Sequence, residues 1–346
     1  MRLADRRRAL AALLVACTCG AASASATSSA APFADTADSI TLYSGQHEQT
    51  VAKLVTDFER RTGIQVEVRS ADEATLANQI IQEGSRSPAD VFFAENPPAL
   101  QVLGERKLLA TVPAATLAAV PRNDSSPAGS WVAVSARSAV LAYNTGDVQR
   151  SDLPGSLLDL AKPAWKGRVG IAPGETDFQP LITAVSQIKG PAAALAWIKG
   201  IKANAKVYED NEVLIAAVNK GSVATGLVDH YYWYRLRDEV GKGSTHSALH
   251  YFPARDPGLL VDVSGAAILR SSKNPAEARR FLAYLVSKPG QTIIATSESY
   301  EYPLAAGVTN HKVARPLASI VPARVTASQL GDGRAALALL QKVGLL

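Results

Sequence analysis

Sulfur is almost absent from this chain. Its 346 residues include two cysteines and one methionine. Cys17 and Cys19 fall in the first 26 residues, and the methionine is Met1. A chain cleaved near Ala26 would hold no sulfur at all. That excludes a disulfide framework, thiolate zinc sites, iron–sulfur clusters and soft Cu(I) sites in the processed chain. A metal would have to be held by oxygen and imidazole nitrogen. The sequence also lacks a phosphate-loop glycine pattern, a nucleophile elbow, a His-Glu-x-x-His motif and any convincing triad, which argues against a secreted hydrolase. It has no internal repeat, no second long apolar span and no helix-turn-helix segment. Aromatic residues are sparse at 6%, and charged residues make up 19% against 47% hydrophobic, a globular balance.

The N-terminus has the order of an export signal. "MRLADRRR" is basic, "ALAALLVACTCGAA" is a short apolar run, and "ASASATSSAAP" offers A-x-A cleavage sites. Residues 1–26 are therefore expected to be a Sec-type signal peptide. The Arg6–Arg8 run suggests twin-arginine export, but the rest of that signal is poor. "LVAC" at 14–17 resembles a lipobox. Cleavage before Cys17 would give a lipid-anchored protein on the outer face of the cytoplasmic membrane; cleavage near Ala26 would give a periplasmic one. The signal also carries much of the positive charge. Taking its four arginines and one aspartate from 36 basic and 31 acidic residues leaves 32 against 30. No nucleic-acid partner is implied by so small an excess.

Strand and helix patterns alternate along the chain. "SITLYSG" reads as a strand, and "HEQTVAKLVTDFERRTG" as a helix with Val51, Leu54, Val55 and Phe58 on one face and Gly63 at its end. "IQVEVRS", "ADVFFA", "GRVGIAPG", "VATGLVD" and "LLVDVSGAAIL" read as strands. "NPAEARRFLAYLVSKPGQTIIATS" reads as two helices broken at Pro289-Gly290. This alternation predicts parallel βαβ units in two α/β lobes around a cleft, where ligands sit at the carboxyl ends of strands.

Several polar residues follow predicted strands: His47, Glu95, the loop Gly174–Phe178, and Asp229 to Tyr232 in "VDHYYWYRL". Phenols bind metal poorly while protonated, with pKa about 10. A hard, highly charged cation can displace that proton. Two phenolates, one carboxylate and one imidazole together offset a trivalent ion, and ferric iron is the obvious biological case. The commoner reading of a "YYWY" cluster is packing or a stacking platform; Trp233 and Tyr234 are expected to pack. A lone histidine such as His47 is more often a helix cap. His246, His250 and His311 show no ligand spacing and read as structural.

The segments "LYSGQHEQ", "SPADVFFAEN", "WVAVSARSAVLAYNT", "LDLAKPAWKGRVGIAPG", "NEVLIAAVNKG", "VDHYYWYRL" and "DVSGAAIL", spanning about residues 40 to 310, resemble the periplasmic ferric-iron-binding proteins of bacterial ABC importers. That resemblance implies the two-lobed type II periplasmic-binding-protein fold with hinge strands. It implies Fe3+ held by His47 and Glu95 from the first lobe and Tyr231 and Tyr232 from the second. It further implies an anion such as phosphate or carbonate near Gly174, Thr176 and Asn211, and delivery of the ion by a monomer to a permease and its ATPase. The lobes would be 38–133 plus 264–312, and 134–263 plus 313–346, with crossings near 131–135 and 261–265. The sequence departs from the family pattern at "ETDF", where a small loop is usual, and at Asp229, where asparagine is common. Asp177, Asp229 or water would then fill the remaining positions, and Arg137 would be a neighbouring cation. The alternatives are a binding protein of the same fold for a phosphonate, polyamine or sugar, and the sensing domain of a DNA-binding regulator, which the signal opposes.

Overall fold

The computed structural model describes residues 38–346. The expected signal at 1–26 and the "LVAC" at 14–17 lie outside the described residues. The first part of the chain runs β1 (Ser39–Ser44), α1 (Glu48–Thr62), β2 (Gln65–Ser70), α2 (Glu73–Glu83), β3 (Val91–Ala94), α3 (Pro97–Glu105), α4 (Ala114–Leu117) and the long β4 (Val132–Asn144). The middle part runs β5 (Val169–Ile171), α5 (Phe178–Lys189), α6 (Pro191–Asn204), β6 (Ala205–Val207), α7 (Asn211–Asn219), β7 (Thr225–Asp229), α8 (His230–Val240) and β8 (Ser247–His250). The chain then returns through β9 (Val261–Ile268), α9 (Pro275–Leu285), α10 (Lys288–Thr296), β10 (Tyr302–Pro303) and α11 (Arg334–Val343).

The expected parallel units are present, but they are only part of the sheet. β1 pairs in parallel with β2 and β3, and β5 pairs in parallel with β6 and β7. Between these groups lie two antiparallel strands, giving the order β2-β1-β3-β9-β4-β7-β5-β6. β4 is buried at all thirteen positions, so it shows none of the alternation of a half-exposed strand. Its first half pairs with β9, with a register shift between Ala133 and Ala136; from Ala139 onward it pairs with β7 and β8. The strand therefore changes neighbours at Ser138–Ala139.

Local signals explain the helices that flank the site. α1 buries Val51, Leu54, Val55 and Phe58 and ends at Gly63, whose φ of 74° only glycine adopts easily. Asp72 and Asp210 cap α2 and α7 by accepting from the Thr75 and Val213 N–H groups. The expected helix break at Pro289-Gly290 is displaced. α9 stops at Leu285, and Pro289 and Gly290 lie inside the first turn of α10, where a proline loses no hydrogen bond. α11 packs on α5 and α6. Among the described residues no helix is long and apolar enough to cross a membrane.

Candidate metal centre

Three strand-to-helix junctions and one loop build the site. β1 ends at Ser44, and the turn through Gly45 delivers His47 to the N-cap of α1. Glycine is needed there, because a Cβ on residue 45 would lie 2.6 Å from the Glu73 Cβ. β3 ends at Ala94, so Glu95 emerges between it and α3. β7 passes into α8 with no intervening loop, which places Tyr231 and Tyr232 in the first helical turn, at its positive end. The loop Gly174–Asp177 precedes α5.

These four segments meet. The Tyr231 hydroxyl donates to Glu95 Oε1 at 2.9 Å and lies 3.1 Å from Asp177 Oδ2. The Tyr232 hydroxyl donates to the same Asp177 oxygen at 3.0 Å, and Asn211 Nδ2 donates to it at 3.3 Å. His47 Nε2 is 3.4 Å from Glu95 Oε1, and its ring meets that of Tyr231 edge-on at 5.1 Å. Two buried atoms at this centre have no hydrogen-bond partner, His47 Nε2 and Asp177 Oδ1. Among the described residues no three His, Cys, Asp or Glu side chains form a group that could hold a metal ion.

In the absence of a cation the electrostatics hold the phenols protonated. Burial pushes both phenols well above their usual value, and the Asp177 and Glu95 charges push the same way. Burial also raises the Asp177 carboxyl; Glu95 adds to this and Arg137 opposes it. The His47 imidazole is driven well below its usual range by burial and then by Arg235 and Arg137, so it is neutral and able to donate a lone pair. The Arg235 guanidinium lies 4.6 Å over the Tyr231 ring and 5.9 Å from the Tyr232 ring centre, a positive charge beside both phenols.

The two aspartates that break the family pattern have different surroundings. Asp177 faces the phenols, whereas Asp229 faces Arg137, 3.5 Å from its Nε. Arg137 is fully buried on β4, bonds Asn96 Oδ1, and lies 3.7 Å from Glu301. Burial penalises its charge, but Asp262, Glu95, Asp177 and Asp229 outweigh that and keep it protonated. Gly174 is exposed at the loop's outer end, and Thr176 Oγ1 accepts from Asn96 Nδ2 at 3.1 Å. Tyr234 packs as expected, accepting the Ala314 N–H at 2.7 Å, and the Trp233 indole bonds Ser247.

Sequence reasoning missed Asn96, Glu73 and Arg235. Asn96 joins Glu73, Thr176 and Arg137 in one network, and burial followed by the Glu95 charge raises Glu73 to about 8. A signal for Arg235 existed in its spacing: three and four residues beyond the tyrosines on a helix is the same face.

Comparison with known proteins identifies the chain's relatives. A family model described as bacterial extracellular solute-binding protein matches residues 40–297. The chain is 39% identical over 307 residues to the Fe(3+)-binding periplasmic protein of Serratia marcescens, covering 89% of this chain and 90% of that protein. It is 40% identical over 309 residues to the major ferric iron-binding protein of Neisseria meningitidis serogroup B, covering 88% and 93%. Among solved structures, iron-bound HitA from Pseudomonas aeruginosa matches with a TM-score of 0.85 and 42% identity, over 89% of this chain and 99% of that one. Trichodesmium FutA in complex with iron and citrate ligands matches with a TM-score of 0.79 and 30% identity, over 88% and 99%. The two-lobed α/β architecture is that of the type II periplasmic binding proteins. On fold and sequence alike, the chain belongs to the bacterial extracellular solute-binding protein family.

Proposed function

We propose that this chain is the extracytoplasmic solute-binding component of an ABC importer, that it captures Fe3+ at the centre described above, and that it delivers the ion to a membrane permease driven by its ATPase. The observation that carries this reading is the convergence of two phenols, two carboxylates and an unpaired imidazole nitrogen. His47, Glu95, Tyr231 and Tyr232 are assigned as ligands. Asp177 supplies the fifth donor, because it already occupies the space between the phenols. The sixth position falls to water or to an anion such as phosphate or carbonate. Ionised, the four acidic donors carry one negative charge more than ferric iron neutralises, and Arg235 offsets it. Asp229 is assigned to Arg137 rather than to the metal.

The lobes are assigned as 38–133 with 264–312 and 134–263 with 313–346. The switch of β4 partners at Ser138–Ala139 and the packing of α11 on α5 and α6 support that division. His47 and Glu95 already lie against Tyr231, as a closed cleft requires, and opening about these strands would separate them for release. No covalent chemistry is needed. The expected location is the periplasm or the outer face of the cytoplasmic membrane, in keeping with the export-like N-terminus and the periplasmic relatives.

The test is the double variant Tyr231→Phe, Tyr232→Phe, which keeps the rings and removes both phenolates. Wild-type protein loaded with ferric iron and chased with citrate should show a visible phenolate-to-iron band, and the variant should lose both the band and the bound iron. A variant that kept the wild-type spectrum would place the site elsewhere.

A further inference from the structure

The ligands assigned above stand on both sides of the cleft, and a buried polar path joins the two sides away from the metal position. On one side, His230 precedes Tyr231 and is fully buried. Its Nδ1 accepts the Ser138 N–H at 3.2 Å, and its Nε2 lies 3.0 Å from the Tyr300 carbonyl. A carbonyl only accepts, so the proton is on Nε2. On the other side, Gln46 precedes His47 and is 4% exposed. Its Oε1 accepts the His47 N–H at 2.7 Å, and its Nε2 donates to Glu301 Oε1 at 3.3 Å. Tyr300 and Glu301 are adjacent, so one dipeptide serves both sides.

That dipeptide is held in a costly shape. Tyr300 has φ 59°, in the left-handed region that a bulky residue rarely adopts. Such strain persists only where the surroundings enforce it. Here Tyr300 stacks on Tyr234 at 5.4 Å with an interplanar angle of 17°, the Lys312 ammonium lies 4.2 Å over its ring, and Asn310 Nδ2 donates to the Glu301 carbonyl at 2.8 Å.

We propose that Tyr300–Glu301 is a positioning strut: through His230 and Gln46 it fixes the tyrosine-bearing helix relative to His47, so disturbance at one end is felt at the other. This rests on the ferric reading. His230, Gln46 and Glu301 are positioning residues and do not touch the metal.

The experiment is a double-mutant cycle on full-length protein, reading ferric release to excess EDTA by stopped-flow at the visible band. Gln46→Met and His230→Asn should each speed release roughly tenfold and shift the band, while the double variant also speeds it roughly tenfold, as expected for one shared network. His230→Gln, whose amide nitrogen stands near Nε2, should restore slow release. A roughly hundredfold, additive effect of the double variant, or variants that lower the melting temperature but leave band and rate unchanged, would overturn the strut. If His230→Asn does not fold, Gln46→Met alone decides: Gln46 hydrogen-bonds His47 and Glu301 and no tyrosine, so an unshifted phenolate band sinks the idea. Should wild-type protein take no ferric colour, the functional reading fails separately. The strut is then read from the His47 ring resonances of metal-free protein, which His230→Asn should move; unmoved resonances overturn it.

Discussion

Asp177 and Asp229 look equivalent in the sequence, as two added negative charges near a tyrosine pair. In space one faces the phenols and the other faces a buried guanidinium. Their substitutions should therefore differ. Asp177→Asn keeps the shape and removes the charge; it should weaken ferric binding by about tenfold or more, the size expected for losing a charged partner. It should also make binding depend on added phosphate or carbonate. Asp229→Asn should do neither, and chelator competition with and without phosphate measures both. The tyrosine pair and the His47 junction were legible because each is a local pattern following a strand. The partners of Arg137 were not. Asn96, Asp262 and Glu301 lie far from it in sequence, and only the folded sheet brings them to one guanidinium.

The helical face of α1 and the short buried runs of β3, β5, β7 and β9 were read from local sequence, whereas the long, fully buried β4 was not. β4 gave no alternation to read, and the antiparallel insertion of β9 beside it depends on a long-range crossover that no local period reports. A tight spot in β9 gives a test at this scale. A Cβ on Gly265 would lie 2.6 Å from Leu100 Cδ1 and 2.9 Å from Trp131 Cε3. Gly265→Ala should therefore destabilise the protein by about 1–3 kcal/mol through overpacking. Urea unfolding of the metal-free protein would show this as a lower midpoint with an unchanged slope.

At the scale of the molecule, pH should act in opposite directions on stability and on capture. Burial, as the first cause in each case, raises Asp262 to about 6, Glu301 to about 7 and Glu73 to about 8. Their unfolded values lie near 4. These three carboxyls hold protons in the folded, metal-free chain that the unfolded one releases, so their contribution to stability falls as pH rises from about 4 to 8. Below about pH 6.5 the buried His47 and His230, neutral in the fold, act the other way, so the net fall is expected above that pH. Iron binding runs the other way. Both phenols are protonated when metal-free, so each ferric ion must displace their two protons, and log K should rise by roughly two per pH unit near neutrality. Melting temperature against pH, with and without ferric iron, tests both: the metal-free curve should slope down from about pH 6.5 to 8 and the iron-induced increment should grow. A metal-free curve that rose over that range would contradict the first arm, and an increment indifferent to pH would contradict the second.

The place of β9 in the sheet also sets a timetable. β3 pairs with β1 on one edge, but its other edge is closed only by residues 265–268. Until that stretch has been made, the first parallel group carries an open apolar border of Val91 to Ala94 and cannot finish its sheet. A contact spanning about half the chain is slow to form. A nascent chain of this topology therefore remains unfinished through most of its synthesis, which is the condition a translocation channel for unfolded polypeptides requires.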